Sequence, residues 1–331
     1  VVAVIVVAVL LVGELAARSV AADLPPHRGA EQEVDVKADQ IRDHGRVDVV
    51  FAGASTADVG LDPTTFAAAS QRYRTSYNAG LKGMPISVQP AWLRFVKDQL
   101  HPKVIVLDLQ PTQLVLAKGT LARDYQLQVA SFTGWVDRAA GGAGADVQAA
   151  VAKRSTLVRD RSDLRRPSQA ARAAVDALEG KGAEPLIDAD TREFVERNTD
   201  ADGRDLEYRA VPGQLDLDPG GAQAFGAALR QGIELGDTRL ALRQIERLGV
   251  PVVLTVLPID VATLSRLGMS KAAYERAVAA IRSLATELDL PLVEFPELTD
   301  PGLYHDKVHL AEPGAVAATK ILAGRLDALR P

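Results

Sequence analysis

From Val47 onward, short unbroken apolar runs alternate with longer stretches in which apolar residues return every three or four positions. The runs "VDVVFAG" (47–53), "KVIVLDL" (103–109), "VPVVLTVLP" (250–258) and "LPLVEFPE" (290–297) predict buried strands, and "TSYNAG" (75–80) a short one. Between them, "DPTTFAAASQRY" predicts a helix capped by Asp62 with Pro63 in its first turn. Helical spacing recurs in "PISVQPAWLRFVKDQL", "TRLALRQIERLG", "SKAAYERAVAAIRSLATELD" and "EPGAVAATKILAGRLDAL". Alternating strand and helix, with strands apolar throughout, predicts an α/β fold. Its centre is a doubly wound parallel sheet covered on both faces.

The N-terminus has another pattern. "VVAVIVVAVLLVG" (1–13) is apolar without a polar face, short of the roughly 20 residues of a spanning helix. It is read as the truncated end of an uncleaved membrane anchor over 1–20, which sets the rest of the chain outside the cytoplasm; a buried strand or core helix is the alternative. Residues 21–45 read as a polar connector stiffened by Pro25 and Pro26. The domain then runs from 46 to 331, with a mostly helical insertion at about 115–220.

Composition narrows the classes. A net charge of -5, with Arg interleaved among Asp and Glu, gives no footprint for nucleic acid. Zero cysteines exclude disulfides, thiolate metal sites and a cysteine nucleophile.

Candidate chemistry begins at Ser55, just past the first strand, where an open sheet of this kind binds its ligands. Capping of the next helix by Ser55 or Thr56 is the plainer explanation of those two residues. A second feature stands near the other end, in "GLYHDKVHLAEPG" (302–314). On a tight turn, Asp306 can accept the Nδ1 proton of a histidine three residues on, leaving Nε2 free to take a proton from a hydroxyl. The chain has five histidines; in the sheet domain the candidates for that base are His309 and its neighbour His305.

In "FAGAST" (51–56), "YNAGLKG" (77–83) and "DKVH" (306–309) the sequence resembles the SGNH (GDSL-like) hydrolase superfamily. "GASTADVGLDP" (53–63) is most similar to its membrane-anchored branch, related to alginate O-acetyltransferases and the D-alanyl-lipoteichoic acid biosynthesis protein. The resemblance spans about 45–115 and 235–331. It implies a flavodoxin-like SGNH fold with Ser55 as nucleophile, His309 as base and Asp306 as the group orienting the imidazole. It further implies an oxyanion hole from the Ser55 and Gly83 amides, with Asn78 and Gly80 shaping the loop. Where the family offers an asparagine after the next strand, "LDLQPTQL" has none, and Gln110 is the side-chain amide in that place. A Gly-x-Ser-x-Gly elbow is excluded, because Ala57 takes the last position.

The middle of the chain adds little. "AAGGAGADV" (139–147) lacks a dinucleotide-loop spacing. "NTDADGRDLEY" (198–208) imitates a calcium loop, but its twelfth position is Arg209, so it reads as a solvated acidic turn. The Arg-rich stretch 152–175, broken by Asp160 and Asp163, reads as a solvated helical face, with anionic lipid as the sharper alternative.

Three functions follow as expectations. The first is an extracytoplasmic serine esterase or O-acyltransferase acting on a cell-envelope glycan or lipid, needing no cofactor or metal. The resemblance implies a membrane-bound O-acyltransferase as its partner. The second is a non-catalytic SGNH-like binding or assembly protein, and the third a flavodoxin-like binder of a phosphorylated ligand.

Overall fold

The computed structural model describes residues 2–20, 29–111, 114, 155–159, 192–207, 223, 225–227, 229–230 and 235–329. Five parallel strands, β1 (Val49–Ala52), β2 (Ser76–Asn78), β3 (Val104–Asp108), β4 (Val252–Val256) and β5 (Leu292–Glu294), form one sheet in the order β2-β1-β3-β4-β5. Its register pairs Phe51 with Asn78, Ala52 with Leu107 and Asp108 with Thr255. Chain order reverses direction at β1, so the crevice between the carboxyl ends of β1 and β3 is the topological switch point.

The strands lack an in/out hydrophobic alternation because both of their faces are buried. Val50, Ala52, Ile105, Leu107 and Leu254 point into one apolar layer. Val49, Phe51, Val104, Val106 and Val253 point into the other. The first layer is covered by α2 (Gly29–His44), α5 (Gln89–Leu100), α8 (Gly236–Glu246) and α10 (Lys271–Glu287). The second is covered by α4 (Pro63–Ala69) and α11 (Glu312–Ala328), whose Ala315, Ala318 and Leu322 are inaccessible to solvent. Other helices among the described residues are α1 (Val2–Val20), α3 (Ser55–Gly60), α6 (Thr156–Arg159), α7 (Arg192–Asn198) and α9 (Val261–Arg266). As the pattern predicts, Asp62 caps α4 through its side chain and Pro63 opens it.

Several expectations are corrected. Residues 29–44 are not a polar connector: they form α2, with Val34, Val36, Ala38 and Ile41 buried. The charged residues between those positions hid the apolar stripe. No helix among the described residues is long and apolar enough to cross a membrane. Helix α1 carries Glu14, which accepts hydrogen bonds from the Ser155 hydroxyl and the Thr156 and Leu157 amides at the start of α6. On α1, Val9, Leu10, Leu11, Val12 and Leu15 are exposed.

The stretch at 198–207 is not a solvated turn. Arg204 and Asp205 are buried, the Asp202 carbonyl accepts from Asn78 N at 2.8 Å, and Asp205 N donates to the Asp58 carbonyl at 3.3 Å. It packs along the free edge of β2. The glycine-rich 139–147 and most of the Arg-rich 152–175 lie outside the described residues.

Candidate active site

Gly53 ends β1 with φ +143°, and a Cβ there would lie 2.9 Å from Ala57 Cβ and 3.0 Å from Asp108 Cβ. Only glycine lets the chain turn this closely against β3. The turn leads directly into α3, so Ser55 is the first residue of a short helix at the switch point. Sequence periodicity began the next helix only at Asp62, because six residues are too few to show a repeat. Ser55 is not a cap: the N-cap position belongs to Ala54, without a side-chain cap bond.

The Ser55 hydroxyl faces His309. Its Oγ lies 2.8 Å from His309 Nε2, and His309 Nδ1 lies 2.7 Å from Asp306 Oδ2. Asp306 Oδ1 accepts the backbone N–H groups of Val308 and His309 at 3.1 and 2.8 Å, which fixes the carboxylate within its own turn. Lys307 at the turn's apex has φ +74°, and the turn is closed by His305 N donating to the His309 carbonyl at 2.9 Å. Of the two candidate histidines, His309 is the one whose ring meets Ser55.

Burial works against ionisation of Asp306. The hydrogen bond and charge of His309, with the two backbone amides, outweigh it and hold the carboxyl below its ordinary value. An ionised Asp306 accepts the Nδ1 proton, which leaves the Nε2 lone pair toward Ser55. The His309 and Asp306 side chains are 14% and 16% exposed, so the group is partly open to solvent.

The loop expected to supply the oxyanion hole follows β2. Ala79 N donates to the Phe51 carbonyl at 2.8 Å and Leu81 N to the Gly53 carbonyl at 3.2 Å, setting 79–81 beside the Ser55 turn. Gly83 has φ +68°, the left-handed backbone open to glycine. The Asn78 amide donates to the Ala57, Asp58 and Leu61 carbonyls at 2.8, 3.0 and 2.7 Å, and its Oδ1 accepts from Gly80 N at 3.0 Å. Asn78 therefore ties the loop to α3. Gln110 does not extend the oxyanion hole: it is buried and its Nε2 donates to the Leu257 carbonyl.

Two positioning groups escaped the sequence reading. Asp108, at the end of β3, accepts from the Thr56 hydroxyl at 2.5 Å, from Leu257 N at 2.9 Å and from the Thr255 hydroxyl at 3.2 Å. Burial pushes its carboxyl up to about 6 against the pull of those bonds. Gln89, the first residue of α5, donates to the Gly53 carbonyl at 3.0 Å. Neither lies within a recognisable motif; an aspartate and a glutamine among apolar neighbours were the only signal.

A cavity of about 490 Å³ opens beyond β4 and β5, lined among others by Leu257, Asp260, Tyr274, Phe295 and Tyr304. Ser55, Asp306 and His309 do not line it. Among the described residues, Glu33, Asp58 and Asp205 bring carboxylate oxygens within 4.8 Å of one another, but the ammonium of Lys37 reaches Asp58 and that of Lys82 reaches Asp205. These contacts supply the cationic partners of that cluster.

No protein-family model matches the chain, and no curated protein matches it. Among solved structures, the chain is similar to an acetyl xylan esterase at 12% identity with a TM-score of 0.38, over 85% of this chain and 100% of that one.

Proposed function

We propose that the protein is a serine esterase or O-acyltransferase that passes an acyl group through Ser55. The observation that carries the proposal is the unbroken chain from Ser55 Oγ to His309 Nε2, at 2.8 Å, and from His309 Nδ1 to Asp306 Oδ2, at 2.7 Å. In the proposed reaction Ser55 Oγ attacks the ester carbonyl while its proton passes to His309 Nε2. The Ser55 and Gly83 amides hold the oxyanion, and Asp306 stabilises the imidazolium. As the tetrahedral intermediate collapses, His309 gives the proton to the departing alcohol and the acyl group stays on Ser55. Water or an acceptor hydroxyl then attacks the acyl-enzyme with His309 again as base; the first outcome is hydrolysis, the second transfer.

The resemblance to the envelope-modifying SGNH branch supports acylated glycan or lipid of the cell envelope as the substrate class. It also supports an extracytoplasmic location and a membrane-bound O-acyltransferase as partner. The exposed apolar side chains of α1 are the surface this proposal sets against the membrane. One observation favours the second reading, a non-catalytic binding or assembly role: Gln110 spends its amide on Leu257, so the usual third oxyanion donor is missing. Loss of one such donor typically costs about 3 kcal/mol of transition-state stabilisation, which slows turnover without abolishing it.

Intact mass spectrometry after incubation with p-nitrophenyl acetate tests the proposal. A single acetyl adduct on the wild-type protein, absent from Ser55→Ala, is the expected result. No adduct together with no p-nitrophenol release would leave the binding role as the better reading.

A further inference from the structure

Helix α2 lies outside the segments that resemble any known motif, yet it buries a lysine. The Lys37 side chain is 0% exposed, and its ammonium donates both to Asp58 Oδ1 and to the Gly80 carbonyl. Asp58 is three residues beyond Ser55 on α3, and Gly80 is three residues before Gly83. We propose that Lys37 is a positioning residue that sets the oxyanion loop against the nucleophile helix by bonding to both; the proposal rests on the acyl-transfer reading of Ser55.

Three features of the seam support this. First, α3 and the loop are already in contact: a Cβ on Gly80 would lie 2.7 Å from Asp58 N. A change in the separation of Asp58 and Gly80 therefore passes into the relation of Ser55 to Gly83. Second, the same helix grips the loop again, as the backbone N–H of Lys82 donates to Glu33 Oε2 at 2.8 Å. Burial and the Asp58 charge push the Glu33 carboxyl well above its ordinary range. Third, packing alone does not call for a lysine there. Taking an ammonium out of water is expensive, and a well-packed apolar residue in place of a buried ion pair is often neutral or stabilising. What the lysine adds is direction, a donor aimed at one carboxylate and one carbonyl across a seam. Catalytic geometry is sensitive to such placement, and a shift of about 1 Å can cost about 100-fold in rate.

The test compares full-chain wild type with Lys37→Met and with Lys37→Met/Asp58→Asn, the second variant removing the buried unpaired carboxylate that the first leaves behind. Pre-steady-state release of p-nitrophenol gives the acylation rate constant and the apparent substrate affinity, thermal unfolding reports the fold, and intact mass locates the adduct. The expected result for the folded double variant is an acetyl adduct still on Ser55, affinity within about twofold of wild type and acylation slowed about 10-fold to 100-fold. Acylation at the wild-type rate in the folded double variant overturns the role of Lys37 and leaves the function of Ser55 standing. A weakened affinity with an unchanged rate constant overturns it as well, because it would place Lys37 in substrate binding. No adduct on wild type removes the acyl-transfer reading and this proposal with it.

Discussion

Thr56 donates its hydroxyl hydrogen to Asp108 Oδ2 at 2.5 Å, joining the residue after the proposed nucleophile to the end of the neighbouring strand. The bond crosses the switch point itself. Asp108 also takes Leu257 N and the Thr255 hydroxyl, so one buried carboxyl joins α3, β3 and the end of β4 at the carboxyl side of the sheet.

That carboxyl leaves a pH signature. Its ordinary value is 3.8 and burial pushes it up to about 6, so the folded state binds the proton more tightly than the unfolded chain. The stability it contributes is complete below about pH 4 and is lost as pH rises through about 6. Between pH 4.5 and 7.5 the loss amounts to about 2 kcal/mol. Urea unfolding of wild type and Asp108→Asn at both pH values is expected to show a fall smaller by that amount in the variant. Parallel pH profiles would show that Asp108 does not titrate in this window. Asp306, held below its ordinary value, has the opposite sign: its contribution is present above about pH 4 and is lost only at lower pH.

Asp306 divides its two oxygens between tasks. Oδ1 takes the Val308 and His309 amides, and Oδ2 takes the imidazole. Asp306→Asn retains a carbonyl oxygen for the backbone bonds, so the turn is expected to persist with little change in melting temperature. The amide NH2 cannot accept the Nδ1 proton, and the wrong imidazole tautomer then faces Ser55. Turnover of p-nitrophenyl acetate is expected to fall by about 10⁴-fold, with His309→Ala falling further. A melting temperature near that of wild type with turnover reduced less than tenfold would remove Asp306 from the proposed mechanism.

The strands were readable because burial on both faces makes them continuously apolar, and the observed β1, β3 and β4 fall inside the runs at 47–53, 103–109 and 250–258. Ser55, Asp306 and His309 stood out as candidates through the motifs at 51–56 and 306–309, and the structure brings their side chains together. Helix α2 was not readable, since Glu33 and Lys37 look like solvent-facing residues until their partners on α3 and on the 79–83 loop are known. The stretch 198–207 failed for the same reason: Arg204 meets Asp62 and Glu312, and Asp205 meets Lys82, all far away in sequence. Gln110 failed differently, because an amide after β3 has two directions to face and only the position of Leu257 decides between them.

Arg204 shows what those distant partners are worth. Its guanidinium is buried, with Nε donating to the Val59 carbonyl at 3.2 Å, Nη1 3.2 Å from Asp62 Oδ2 and Nη2 2.8 Å from Glu312 Oε2. It thus reaches the end of α3, the cap of α4 and the first turn of α11, the helix that follows the histidine turn. The side chain of Asp62 is 9% exposed and that of Glu312 38%, so the first is costly to leave unpaired and the second is partly screened by water. Arg204→Met keeps the bulk and removes every donor. It is expected to destabilise the fold by about 3 kcal/mol in urea unfolding at neutral pH, near the lower end of the cost of breaking a buried pair. Arg204→Met/Asp62→Asn removes the stranded charge while keeping a capping oxygen, and is expected to recover a substantial part of that loss. Equal stability of the single and double variants would mean that Arg204 acts through packing and the Val59 carbonyl, not through its charge.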